Sequence, residues 1–221
     1  MDPLKISRVN RSKQQAQGIY DRLSCCYDIV AGSSERNFMK IGIRQLNPQP
    51  GEYILELGCG TGFGLCAFTD SVSPFGMIYG LDFSSGMLRK ARKLLRKSGI
   101  ISSVSIQLGD ACFLPYRNKA FSIIFLCFTL ELFDTPDIPL VLSECKRVLK
   151  PDGRIGIVCL EKKETLPVRI YEWAHRVLPA LVDCRPINAY DDLDSGGFEI
   201  ITFLSKLIWG LPVSIITARV K

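Results

Sequence analysis

The chain has 221 residues, a length typical of one domain, and 47% of them are hydrophobic, which is enough for a sizeable core. The net charge of +6 is below the strongly basic balance of a dedicated nucleic-acid-binding protein, so nucleic acid is not an expected partner. The nine cysteines contain no C-x-x-C pair and there is one histidine, so no metal site is expected, and the free thiols indicate a reducing, cytoplasmic compartment.

The first 48 residues are predicted to form a helical cap, and they lack the apolar core of a signal peptide. The clearest helix covers 33–46, with Ser34 as its N-cap. Residues 49–160 alternate between apolar strands and amphipathic helices, which predicts a parallel sheet with helices on both faces and a cofactor-binding core. The predicted strands are 53–57, 77–81, 104–107, 121–126 and 154–160, and the predicted helices lie near 62–70, 85–98 and 138–149.

The last part of the chain departs from this alternation. Residues 161–195 are long for a crossover and are interpreted as an insertion that covers the substrate. Residues 196–221 read as two strands joined by a short Gly-Pro turn, a connection that can pair strands only antiparallel. The prediction is a single α/β domain over 1–221, mostly parallel, whose last strand runs against the others.

Three alternating glycines, Gly58, Gly60 and Gly62, follow the first predicted strand in the stretch LELGCGTGFG. Ligands of open α/β sheets bind beyond the carboxyl ends of the strands, and glycine lets ligand atoms approach the backbone closely. No Lys-Ser/Thr pair follows, and position 63 is Phe, so the phosphate-loop and dinucleotide patterns do not fit. The spacing fits S-adenosylmethionine, which has no phosphate.

Acidic residues at the next strand ends support that ligand. Asp82 can accept hydrogen bonds from two ribose hydroxyls, although an N-cap role beside Ser84 is the alternative. Asp110 can accept a hydrogen bond from the adenine amino group, and the Ala111 N–H can donate to a ring nitrogen. The alternative is that Asp110 is an ordinary turn aspartate. Glu56 can supply a counter-charge to the ligand ammonium, or be a strand-end carboxylate satisfied by loop N–H groups.

These features resemble the class I S-adenosylmethionine-dependent methyltransferases, and more narrowly the ubiquinone/menaquinone biosynthesis C-methyltransferases. The resemblance implies a Rossmann-like, seven-stranded, mostly parallel sheet with an antiparallel last strand, with S-adenosylhomocysteine as the product. The stretches that carry it are YDRLSCCYDIV (20–30), ILELGCGTG (54–62), LDFSSGML (81–88), GDACFLPYRNKAF (109–121) and ECKRVLKPDGRIGIV (144–158).

By motif position, Thr61, Asp82, Asp110, Ala111 and Cys127 match cofactor-contacting positions of that family. Cys127 stands where the family usually has serine, and residues 129–132, Thr-Leu-Glu-Leu, stand where it has Gly-Leu-Arg-Asn. The full set of predicted cofactor-binding residues is Tyr20, Tyr27, Glu56, Gly58, Cys59, Gly60, Thr61, Gly62, Asp82, Phe83, Met87, Gly109, Asp110, Ala111 and Cys127.

Methyl transfer requires alignment of the acceptor, exclusion of water and, for some acceptors, a base. His175 is the first candidate base and Glu131 the second; the alternatives are a helix-surface histidine and a surface carboxylate. Tyr20 and Tyr27 are expected at a lid over the cofactor, or else as anchors of the cap. The acceptor cavity is expected between the cap and residues 161–195, with Trp173 in its wall.

Three functions stay open from the sequence. The preferred one is methyl transfer to a small or lipophilic acceptor, with a prenylated quinol-type ring first. The others are N- or O-methylation of a phospholipid or small metabolite, and a non-catalytic S-adenosylmethionine sensor. The oligomeric state is not predicted. One predicted helix carries six cations, which are interpreted as a solvated face, with contact with a membrane surface as the alternative. These are Arg89, Lys90, Arg92, Lys93, Arg96 and Lys97.

Overall fold

The computed structural model describes residues 8–9, 13–23, 32–72, 75–177 and 184–221. Two short 3₁₀ turns, Ile101–Ser103 and Leu130–Leu132, accompany the longer elements. The described helices are α1 Lys13–Leu23, α2 Gly32–Leu46, α3 Phe63–Val72, α4 Ser85–Lys97, α5 Ile138–Val148, α6 Leu166–Val177 and α7 Ala189–Ser195. The strands are β1 Tyr53–Leu57, β2 Met77–Asp82, β3 Val104–Leu108, β4 Phe121–Cys127, β5 Leu149–Leu160, β6 Phe198–Ile208 and β7 Leu211–Val220.

The strands form one seven-stranded sheet in the order β3-β2-β1-β4-β5-β7-β6. Strands β1 to β5 pair in parallel, whereas β7 runs antiparallel to both β5 and β6. The predicted Rossmann-like fold with an antiparallel last strand is therefore confirmed. The final hairpin turns at Trp209 and Gly210, whose φ angles are 50° and 84°, as a two-residue type I′ loop requires. The turn is therefore Trp-Gly and not the predicted Gly-Pro, because Pro212 lies after it, within β7.

Both faces of the sheet are covered, as expected for parallel strands. On β1, Leu55 and Leu57 pack into the cluster that contains α5, whereas Ile54 packs into the cluster that contains α2, α3 and α4. Helix α2 lies so close to β5 that a Cβ on Gly156 would lie 2.6 Å from Leu46. This close packing holds α2 against one face of the sheet.

Two other local predictions are wrong. Ser34 is not an N-cap, because α2 already begins at Gly32. Strand β5 begins at Leu149 rather than at 154: Leu149 pairs with Phe121, and the ladder passes an irregularity before it resumes at Arg154. Turn-like residues at 151–153 are thus tolerated by a bulge. None of the described helices is long and apolar enough to cross a membrane.

Candidate active site

The carboxyl ends of β1 to β4 surround a cavity of about 370 Å³, within the size range of small-molecule sites. Ten of the predicted cofactor-binding residues line it: Tyr20, Gly58, Gly60, Asp82, Phe83, Met87, Gly109, Asp110, Ala111 and Cys127. Sequence reasoning missed further lining residues, which include Gln14, Gln17, Leu108, Phe128, Thr129, Leu132 and Phe133. Tyr27 lies outside the described residues.

The three glycines of the loop have different structural roles. All have positive φ angles, 66° at Gly58, 51° at Gly60 and 91° at Gly62. A Cβ on Gly58 would lie 2.5 Å from Thr129 Cγ2, and one on Gly62 would lie 3.1 Å from the Ala91 Cβ of α4. A Cβ on Gly60 would have no atom nearer than 4.0 Å. Gly60 therefore leaves backbone open to a ligand, whereas the other two allow close packing.

Asp82 holds the glycine loop and the start of α4 in place. Its carboxylate accepts hydrogen bonds from Gly60 N and Ser84 N, each at 2.8 Å. Burial raises the pKa of Asp82 to about 6, and these backbone bonds oppose the shift. The N-cap of α4 is Ser84, whose Oγ accepts from Met87 N at 3.1 Å. The cap role is thus taken by Ser84, and Asp82 faces the cavity.

The third strand brings Asp110 to the same cavity. The Asp110 side chain accepts a hydrogen bond from Cys112 N at 2.9 Å, which fixes the turn after β3. Ala111 is buried at this turn and lines the cavity with Leu108, whose side chain is half exposed. The arrangement places a carboxylate and a backbone turn next to an apolar wall, a combination that suits a flat polar ring.

Glu56 does not line the cavity but lies beneath the loop. A Cβ on Gly64 would collide with Glu56 Oε1, so Gly64 lets the first turn of α3 approach the carboxyl group. Burial, and secondarily the charge of Asp82, raises the pKa of Glu56 to about 8. Its Oε2 is buried without a hydrogen-bond partner among the described residues. Cys59, Thr61 and Gly62 likewise belong to the loop but not to the cavity lining.

Helix α1 covers the cavity from the β2–α4 side. The Asp21 Oδ1 accepts hydrogen bonds from Ser84 Oγ at 2.6 Å and from Gly86 N at 2.7 Å. The Gln17 side chain donates to the Phe83 carbonyl at 2.7 Å, and the Tyr20 ring meets that of Phe83 edge-on with centroids 5.7 Å apart. These contacts join residues more than 60 positions apart, so no local pattern predicts them.

The opposite side of the cavity is formed after β4. Arg8 donates to both carboxylate oxygens of Asp134, and Val9 N donates to the same carboxylate at 3.0 Å. Val9 lines the cavity together with Leu132 and Phe133. Phe128 has a φ of 50°, an uncommon conformation for a bulky residue. Such strain at a cavity wall is typical of functional sites.

The structure does not place either predicted base in this cavity. Glu131 is fully buried in the turn after β4, and its Oε1 accepts from Leu160 N at 3.2 Å. Burial raises the pKa of Glu131 to about 8. His175 is buried on the inner face of α6, whereas Trp173 is 58% exposed. No residue of 161–195 that the structure describes lines the cavity, so the roles of this segment and of both bases stay predictions.

The chemical groups around the cavity match those that S-adenosylmethionine requires. The cavity offers open backbone at Gly60 and carboxylates at Asp82 and Asp110 for hydroxyl and amino donors. The buried, unpartnered Oε2 of Glu56 lies below the same loop. We find no cluster of metal-ligating side chains among the described residues.

Comparisons with known proteins agree with this geometry. The family described as a methyltransferase domain matches residues 54–153. The demethylmenaquinone methyltransferase of Lactobacillus johnsonii is 32% identical over 160 residues, which cover 70% of this chain and 65% of that protein. The chain therefore spans slightly less than two thirds of that relative. The enzyme of the same name from Geobacillus kaustophilus is 31% identical over 164 residues, covering 74% of this chain and 67% of that protein.

Solved structures share the fold. The [4+2]-cyclase SpnF superposes with a TM-score of 0.77 at 19% identity, covering 95% of this chain and 97% of that one. Because a fold hosts several reactions, this likeness supports the architecture and not a reaction. The two curated relatives have a higher sequence identity to this chain, 32% and 31%. The chain belongs to the family of class I S-adenosylmethionine-dependent methyltransferases that includes the demethylmenaquinone methyltransferases.

Proposed function

We propose that the protein transfers a methyl group from S-adenosylmethionine to a small, lipophilic acceptor, with a prenylated quinol-type ring as the first candidate. The observation that carries the proposal is the cavity at the ends of β1 to β4, which combines open glycine backbone with Asp82 and Asp110. The names of the two relatives, demethylmenaquinone methyltransferases, support a quinol acceptor.

The residues divide the work between binding and alignment. The carboxylate of Asp82 accepts hydrogen bonds from the ribose hydroxyls, and Asp110 accepts one from the adenine amino group. When bound, the sulfonium supplies an activated methyl group. Helix α1, through Tyr20 and Gln17, closes the β2–α4 side and excludes water. The apolar side chains of Phe128 and Phe133 line the part of the cavity after β4, where a ring can be held in line with the methyl group.

The experiment is a transfer assay with isotopically labelled S-adenosylmethionine. A short-tailed prenylated naphthoquinol, a phosphatidylethanolamine and a metabolite extract are offered separately, and the products are identified by mass spectrometry. Label on a ring carbon of the quinol supports the proposal. Label only on the phospholipid or on a metabolite nitrogen or oxygen would identify the alternative acceptors. Tight S-adenosylhomocysteine binding with no labelled product from any of them would favour the sensor.

The base assignments require a separate measurement. Because Glu131 and His175 lie outside the cavity lining, we expect Glu131→Gln and His175→Gln to retain the shape of the pH–rate profile. A quinol hydroxyl is a phenol, so at alkaline pH it can lose its proton to the solvent and does not need a protein base. The loss of one limb of the profile in either variant would instead assign that residue as the base.

A further inference from the structure

We propose that the protein docks on an anionic lipid bilayer through a surface next to the cavity, here called the apolar edge. It consists of the outward face of α6 and the tip of the β6–β7 hairpin. Its exposed residues are Leu166, Ile170, Trp173, Val177, Leu207 and Trp209. This proposal rests on the proposed function in one respect, because the bilayer is taken to be the source of the lipophilic acceptor.

Helix α6 is apolar on two opposite faces. Val168 and His175 are buried on the inner face. The residues at 166, 170, 173 and 177 follow helical spacing on the other face and are 69%, 57%, 58% and 54% exposed. Among the described residues only the inner face of α6 packs into the core, so within this part of the chain the outer stripe is an exposed apolar patch. Patches of this kind mark surfaces that contact a partner or a membrane.

The hairpin tip adds two exposed apolar side chains at the end of the sheet that α6 contacts. Leu207 is 69% and Trp209 is 73% exposed. Val168 of α6 belongs to the same buried cluster as Ile208 and Leu211 at the hairpin tip, and α6 contacts β7. Trp173 and Trp209 are the two tryptophans of the chain, and both lie on this surface. Tryptophan rings are enriched where membrane meets water.

The charges on the apolar edge favour an anionic surface as the occupant. The exposed charged residues of α6 are Arg169 and Arg176. The acidic residue of the helix, Glu172, is half-buried and pairs with Lys162 at 2.6 Å. Lys206 is exposed beside Leu207 at the hairpin. Apolar residues flanked by cations are the pattern of interfacial helices, and each basic residue near an anionic bilayer strengthens binding.

The position of the apolar edge fits the delivery of an acceptor. Strand β6 pairs antiparallel with β7, which is antiparallel to β5, so β6 ends at the same edge of the sheet as β4. Three strand spacings separate β4 from β6 in the sheet order, which is roughly 14 Å. A chain docked in this way holds its cavity close to the bilayer surface, where the ring of a prenylated acceptor lies.

Tryptophan fluorescence tests the docking directly, since both tryptophans lie on the apolar edge. The full chain is titrated with vesicles of phosphatidylcholine containing 30% phosphatidylglycerol, with and without brominated acyl chains. We expect a blue shift of the emission and strong quenching by bromine. Trp209→Ser and Trp173→Ser each leave one probe, and both probes should be quenched.

Matched variants locate the binding surface. Ile170→Ser combined with Leu207→Ser keeps both tryptophans and should lower the vesicle partition coefficient by about ten-fold or more. Phe75→Ser is the control, because Phe75 is 81% exposed but precedes β2 at the opposite edge of the sheet. Arg169→Gln and Arg176→Gln should each lower the partition about five-fold on anionic vesicles alone. The double variant Arg92→Gln with Lys93→Gln on α4 is the charge control. Because these residues lie away from the apolar edge, it should change the partition coefficient much less than Arg169→Gln or Arg176→Gln.

Several results would overturn the proposal. These are no binding to anionic vesicles, binding without bromine quenching, or binding that the α4 variant abolishes and the Ile170/Leu207 variant retains. A dimer in sedimentation that the Ile170/Leu207 variant dissociates would show that a second copy covers this surface instead. Because neither Ile170 nor Leu207 lines the cavity, methyl transfer to a short-tailed quinol without vesicles should be unchanged in that variant. Failure of docking and failure of the proposed function therefore give different results.

Discussion

Replacing Gly58 by alanine should destabilise the fold through one identifiable contact. The new Cβ would lie 2.5 Å from Thr129 Cγ2 and 2.6 Å from Thr129 Oγ1. The left-handed φ of 66° adds a backbone cost of about 1–2 kcal/mol for a non-glycine residue. Overpacking a filled site costs about 1–3 kcal/mol. Together these terms predict a loss of roughly 2–5 kcal/mol in the free energy of unfolding.

The clash and the backbone strain can be separated with Thr129→Ala. That change removes both colliding atoms and leaves the Thr129 Cβ, 3.1 Å away, as the nearest. In its background Gly58→Ala should cost only about 1–2 kcal/mol, so the two substitutions should couple by about 1–3 kcal/mol. Gly60→Ala is the matched control, because its Cβ would be 4.0 Å from the nearest atom. It should retain most of the stability but lose affinity for S-adenosylhomocysteine.

Urea denaturation at 25 °C measures the four free energies of the cycle, and calorimetry measures the affinity for S-adenosylhomocysteine. Unchanged m-values would show that the comparison is between similar native and unfolded states. Additive effects of Gly58→Ala and Thr129→Ala, within about 0.5 kcal/mol, would refute the clash as the cause. Unchanged ligand affinity in Gly60→Ala would refute the argument that this backbone faces the ligand.

Three further predictions follow from the site. Asp82→Asn should weaken S-adenosylhomocysteine binding roughly 10- to 100-fold, because a charged acceptor is lost; unchanged affinity in calorimetry would exclude the ribose role. Gly86→Ala should undock α1, because its Cβ would lie 2.9 Å from the Asp21 Cα, and should lower ligand affinity several-fold while thermal stability stays within a few degrees; a normal affinity would contradict this. The pKa of Glu56 is raised to about 8 in the folded state, so folding favours the protonated carboxyl group. The free energy of unfolding should therefore fall as pH rises from about 4.5 to 8. Glu56→Gln should remove up to roughly 4–5 kcal/mol of that decline, and an unaltered pH dependence in urea titrations would count against the burial argument.

The sequence identified the cofactor side of the site because the fold makes it a property of strand ends. Asp82 ends a short strand, Gly58 and Asp110 come just after two others, and parallel strands bring their carboxyl ends to one edge. Spacing and residue type are therefore sufficient to place them together. The antiparallel last strand was predictable for a similar reason, since a two-residue turn leaves no other pairing.

Tertiary packing decided the contacts that join distant parts of the chain. Asp21 meets Gly86 across 65 residues, and no periodicity in α1 indicates that partner. Burial of His175 and Glu131 depends on which side of α6 and of the turn after β4 meets the sheet, and a titratable residue type carries no information about that. Likewise, the apolar positions of α6 predict a buried helix. Because the sheet can cover only one face of it, only the three-dimensional arrangement shows which apolar residues remain exposed.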